Sequence, residues 1–76
     1  MFLIGKWGKI LDGEYANWYL MVDDDTNGST GGFYIYTVKN PKIEKSEGYD
    51  DWVENERDLD NYMKNFKSKI DWKTKL

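Results

Sequence analysis

Two aromatic-rich runs on either side of a glycine-dense connector constrain this chain more than any other feature. Residues 15–22 and 33–38 consist largely of Tyr, Trp, Phe, Leu, Val and Ile. These side chains suit a pleated, half-buried surface. Between them runs Asp23-Asp24-Asp25-Thr26-Asn27-Gly28-Ser29-Thr30-Gly31-Gly32, nearly all turn formers. The pattern predicts a β-hairpin.

Side chains alternate across a strand, so each run has two faces. In the first run Ala16, Trp18, Leu20 and Val22 share the expected core face. Tyr15, Asn17, Tyr19, Met21 and Asp23 share the other. In the second run Phe33, Ile35 and Thr37 oppose Tyr34, Tyr36 and Val38. Tyr34 and Tyr36 are assigned to solvent or to a partner.

The rest of the chain is expected to build around this hairpin. Residues 2–11 predict a strand, interrupted by Gly5 and Gly8 where a bulge or a close backbone approach is expected. Asp12-Gly13 predicts a tight turn into the strand starting at Glu14. Asn40-Pro41 ends the 33–39 strand, because proline cannot donate to a ladder. Residues 42–48 read as a polar connector, and 49–53 as a short extended piece or a first helical turn. Asn55 suits a helix N-cap, with Glu56 and Asp58 at the positive end of the helix dipole. Leu59, Tyr62, Met63 and Phe66 fall on one apolar stripe. This predicts a helix over 55–67, with a start as early as Asp50. Residues 68–75 predict a last strand, with Ile70 and Trp72 inward and Lys69, Asp71 and Lys73 outward. Basic residues suit a sheet edge. The expected class is α+β: a mainly antiparallel sheet of about four strands with one helix on one face, in the order β-β-β-α-β. A single domain over 1–76 is the expectation for 76 residues.

Composition excludes much chemistry. The chain has no Cys and no His, which removes disulfides, thiolate nucleophiles, the usual zinc ligands and the usual general base. Ser29, Ser46 and Ser68 fall in loops or flanks, so no nucleophile–base pair is visible and no enzyme activity is expected. The opening MFLIGKWGKI has too short an apolar run for a signal core or a membrane span. With the missing cysteines this predicts a cytoplasmic protein.

Asp23-x-Asp25-x-Asn27-Gly28 matches the first half of a calcium loop. The twelfth position is Tyr34, where a bidentate Glu belongs, and the flanks read as strands. No metal and no cofactor is therefore assigned. Gly31-Gly32-Phe33-Tyr34-Ile35-Tyr36 has the look of a base-stacking strand. Its carboxylate neighbours and a net charge of -3 disfavour a nucleic-acid partner, because phosphate affinity needs clustered positive charge.

Charge is unevenly spread. Asp23, Asp24 and Asp25 form one acidic block. Residues 46–60 form a second, with seven carboxylates against Arg57. Such blocks serve solubility and helix ends, or they dock on a basic partner. Trp52 lies between Asp51 and Glu54. Beneath the helix it is a core anchor; exposed, it is an interface hot spot.

The pieces WYLMVDDDTNGSTGGFYIY, YDDWVENERDLDNYM and KIDW, in that order, resemble small single-domain immunity proteins of bacterial toxin systems. The resemblance spans roughly residues 14–73. It implies a short, acidic, cytoplasmic protein that inhibits a cognate toxin stoichiometrically by covering a basic active site or groove. Asp23, Asp24, Asp25, Asp50, Asp51, Glu54 and Glu56 would supply charge, and Trp52, Tyr34 and Tyr36 buried contact. A phage-encoded inhibitor of a bacterial defence nuclease shares this physics. An aromatic-sheet nucleic-acid binder or a general interaction module is the alternative of another class. An exposed edge strand also offers a route to a homodimer.

Overall fold

The computed structural model describes residues 4–29 and 31–74. Among these the chain forms β1 (Gly8–Ile10), β2 (Tyr19–Asp24), β3 (Phe33–Val38), β4 (Gly48–Val53), α1 (Glu56–Asn65) and β5 (Ile70–Asp71). The strands make one sheet in the order β4-β3-β2-β1-β5, and every neighbouring pair is antiparallel. The α+β class holds.

The hairpin forms at the centre of the sheet. Leu20 pairs with Thr37, Val22 with Ile35 and Asp24 with Phe33. Leu20, Val22, Phe33, Ile35 and Thr37 are buried on one face with Ile10 and Leu59. The alternation thus assigns the core face of β2 and β3 correctly. The helix covers that face through the predicted stripe: Leu59 is buried, and Tyr62, Met63 and Phe66 pack against the same cluster. Asn55 is the N-cap, its side chain accepting the Asp58 N–H at 2.9 Å.

Several boundaries differ from the expectation. The second strand begins at Tyr19, not Glu14, because residues 14–17 turn. Ile10 donates to Trp18 O at 2.8 Å and accepts from the Asn17 N–H at 2.7 Å. Two residues thus oppose one, with Asn17 at φ 72°, which is a bulge of the type that usually takes glycine. It replaces the tight Asp-Gly turn, and it leaves Ala16 outside the strand. The first strand shrinks to three residues, and positions 2–3 of the predicted strand lie outside the described residues. The third strand ends at Val38 and the helix at Asn65, where the Phe66 N–H bonds Tyr62 O and Met63 O. The last strand is only Ile70–Asp71, with Ile70 and Trp72 packed on the core as expected.

The largest change concerns residues 48–53. They form a full six-residue strand, so the described sheet has five strands. The helix starts no earlier than Glu56. No helix among the described residues is long and apolar enough to cross a membrane.

Candidate functional site: an uncovered aromatic and acidic sheet face

The helix covers one face of the sheet, and among the described residues no element covers the other, whose apolar side chains on β2 and β3 are half-buried among their strand neighbours. Register fixes which side chains share the bare face. Met21 pairs with Tyr36, which pairs with Asp50; Asp23 pairs with Tyr34, which pairs with Trp52. All six lie opposite in phase to the buried Leu20, Val22, Phe33 and Ile35. They form two parallel rows across β2, β3 and β4. Tyr19 and Val38 extend the apolar surface at one end.

The centre of this face is ordered. The Tyr34 and Tyr36 rings stack with centroids 5.9 Å apart and planes within 12°. Beside them the Trp52 indole is 45% exposed, and its Nε1–H donates to Gly31 O at 2.8 Å. That bond runs from the edge strand to the end of the hairpin connector. It is made possible by Gly32, whose φ is +76° and where a Cβ would collide with Val53 O and the indole. Trp52 is therefore not a core anchor beneath the helix.

The face is acidic at the end of Asp23 and Asp50, while Lys9, paired with Tyr19, lies on it at the other end. The Tyr36 hydroxyl titrates above its ordinary range, through loss of water first and then the charges of Asp23, Tyr34, Asp50 and Asp25. Three carboxylates thus act on one phenol. They make the electrostatic potential more negative around rings that already present a negative face.

The other expected site residues lie elsewhere. Asp51 points to the helix face, where its Oδ2 accepts the Tyr62 hydroxyl at 2.7 Å. That bond, after burial, holds the Tyr62 phenol strongly protonated. Asp24 has the phase of the core face but lies at the exposed end of β2. Its Oδ1 accepts from Thr26 Oγ1 at 2.6 Å and Thr26 N at 2.9 Å, which lowers its carboxyl below the usual range. Glu54 follows β4, and Glu56 opens α1. The structure therefore brings together Asp23, Asp25, Tyr34, Tyr36, Asp50 and Trp52, and separates Asp24, Asp51, Glu54 and Glu56. Met21, Tyr19 and Val38 belong to the face and were missed as site residues. Their signal was present, since they alternate with the buried residues of β2 and β3.

Among the described residues no group of three or more acidic side chains is placed to hold a metal ion. Asp23 and Asp24 point to opposite faces, as neighbours in a strand must.

An open groove of about 540 Å³ lies at another place, lined by Ala16, Asn17, Trp18, Lys39, Ile43 and Glu47. Ser46, also on its lining, is engaged in the turn, its Oγ accepting the Asn40 N–H at 2.8 Å and donating to Glu47 O at 3.2 Å. Nearby, Tyr15 meets Trp18 and Tyr49 edge-on, with centroids 5.3 and 5.4 Å apart, and Trp18 and Tyr49 lie tilted at 6.1 Å. Comparison with protein-family models, with curated proteins and with solved structures gave no match.

Proposed function

We propose that this chain is a stoichiometric binding protein that occludes a basic surface or cleft on a protein partner, as an immunity protein does for its toxin. The observation that carries the reading is the bare sheet face, where the Tyr34–Tyr36 stack and Trp52 are bordered by Asp23, Asp25 and Asp50. Aromatic rings give rigid contact area at low entropic cost. Their faces attract lysine and arginine, and the carboxylates steer and pair the same cations. Nucleic acid is a poor fit, because its phosphates would meet those carboxylates.

The same face would serve an inhibitor carried by a phage against a bacterial defence nuclease, with carboxylates standing in for phosphates. Both readings place the protein in the cytoplasm with its target. The test is capture of a partner on the immobilised chain, followed by titration of that partner's own activity. The expected result is loss of activity that is complete at one equivalent. An active complex, or a capture unaffected by Asp23→Lys with Asp50→Lys, would contradict the proposal.

A further inference from the structure

We propose that β4 accepts an extended basic segment of the partner as an added antiparallel strand, so that the sheet edge and the bare face form one continuous site. This rests on the reading of the bare face given above.

The edge is open and its geometry is defined. β4 is an outermost strand of the sheet, and five of its six residues are exposed. The Lys39 N–H donates to Glu47 O at 2.8 Å, in line with the register in which Val38 faces Gly48. Hydrogen-bonded and non-bonded pairs alternate along an antiparallel ladder. Tyr49, Asp51 and Val53 therefore turn their backbone N–H and C=O groups toward β3. Gly48, Asp50 and Trp52 turn theirs outward, where no strand of the described residues lies. The side chains of Asp50 and Trp52 lie on the bare face. A residue paired with either would exchange backbone hydrogen bonds and set its own side chain beside a carboxylate or an indole. Lysine or arginine fits both places. Backbone pairing supplies affinity and the alternate side chains supply selectivity, as in other strand additions.

Charge decides against a second copy of this chain as the occupant. In a two-fold antiparallel pairing centred on Asp50, that residue meets its own copy. Centred on Asp51, Asp51 meets its copy. Centred on Tyr49, Asp51 meets Glu47; centred on Trp52, Asp50 meets Glu54. Each register sets like charges directly opposite, which destabilises the pairing. Charged edges commonly prevent self-association in this way, and here the same charges select a basic strand.

The probe is a synthetic heptapeptide alternating lysine and valine, with lysine at both ends. Added with its lysines on the bare face, it would turn the lysine amides toward β4 and the valine amides away. Two further versions carry N-methyl groups, one on the lysine amides and one on the valine amides. We expect the parent peptide to slow hydrogen exchange at the Asp50 and Trp52 amides. Lysine N-methylation should weaken binding by about tenfold or more, since each lost hydrogen bond contributes on the order of 1 kcal/mol. Valine N-methylation should leave it within about twofold. Equal binding by the two methylated forms, with perturbation confined to the Tyr34, Tyr36 and Trp52 side chains, would overturn strand addition and leave the bare-face reading standing. Absence of binding by all three would also overturn strand addition, and the inhibition titration would then judge the face by itself. Appearance of concentration-dependent dimers with protected β4 amides would overturn the choice of occupant.

Discussion

The Tyr62 hydroxyl donates to Asp51 Oδ2 at 2.7 Å, while Asp50, one residue earlier, faces the other side of the sheet beside Tyr36. Two adjacent aspartates of one edge strand are thus divided between fold and surface. Tyr62→Phe should lower stability by about 0.5–1.5 kcal/mol, near the low end because the contact is exposed. Asp50→Lys should stay within about 0.5 kcal/mol of the parent. Urea unfolding midpoints check both. Partner affinity should show the opposite ranking, untouched by Tyr62→Phe and lost with Asp50→Lys.

The helix-side tyrosines make the fold sensitive to alkali. Burial and the Asp51 bond raise the Tyr62 phenol well above its ordinary value. Loss of water, then a hydrogen bond shared with Tyr15, pushes Tyr49 up to about 12. In the unfolded chain both titrate near 10. Above that pH the unfolded state loses protons first, so stability falls as pH rises. The contribution is complete below pH about 10 and fades as pH climbs through the raised folded values. Urea midpoints measured from pH 8 to 11.5 should fall at the alkaline end. The fall should be shallower in Tyr49→Phe with Tyr62→Phe.

Gly8 is a packing requirement. A Cβ there would come within 2.5 Å of Ile70 Cγ2 and 2.7 Å of Trp72 Cε3. Gly8→Ala should therefore displace β5 and Trp72, with a loss of about 1–3 kcal/mol. The expected readouts are a lower urea midpoint and a red-shifted tryptophan emission.

The helix is held by its apolar stripe and by its cap. Leu59, 2% exposed, is its only fully buried residue among those described. Leu59→Ala should cost about 2–5 kcal/mol, enough to populate the unfolded state of a domain this small. Asn55→Ala should cost about 1 kcal/mol by leaving the Asp58 N–H without its acceptor. Thermal unfolding followed at 222 nm should rank the two variants in that order.

The parts of this fold that sequence reveals are those in which periodicity and burial agree. In β2 and β3 a buried residue follows a half-buried one at each step of Leu20–Val22 and Phe33–Ile35–Thr37. In α1 the apolar stripe follows an N-cap. β4 defeats the same reasoning. Gly48–Val53 is an edge strand whose residues are nearly all exposed, so no apolar alternation marks it, and Asp50-Asp51 resembles a helix start. Its pairing is set by β3, which no local pattern encodes. The bulge at Asn17 is hidden for a related reason, since Asp12-Gly13 supplies a stronger local turn signal than Asn17 does. At the candidate site the residue types were legible but their sides were not. Asp50 and Trp52 could be separated from Asp51 only once β4 was known to be a strand. Asp23 and Asp24 were grouped as one acidic block, although strand alternation puts them on opposite faces.

Binding by the bare face of the sheet is distinguishable from attraction by acidity in general. The most direct measurement is the dissociation constant of the captured partner for three folded variants: Asp23→Lys with Asp50→Lys, Tyr36→Ala, and Asp60→Lys on exposed helix surface. Binding through the face predicts losses of about a hundredfold for the first and about tenfold or more for the second, with the third within about threefold of the parent. Equal losses for the two charge-reversed proteins, with Tyr36→Ala unchanged, would show that net charge alone drives association and would contradict the assignment of the face.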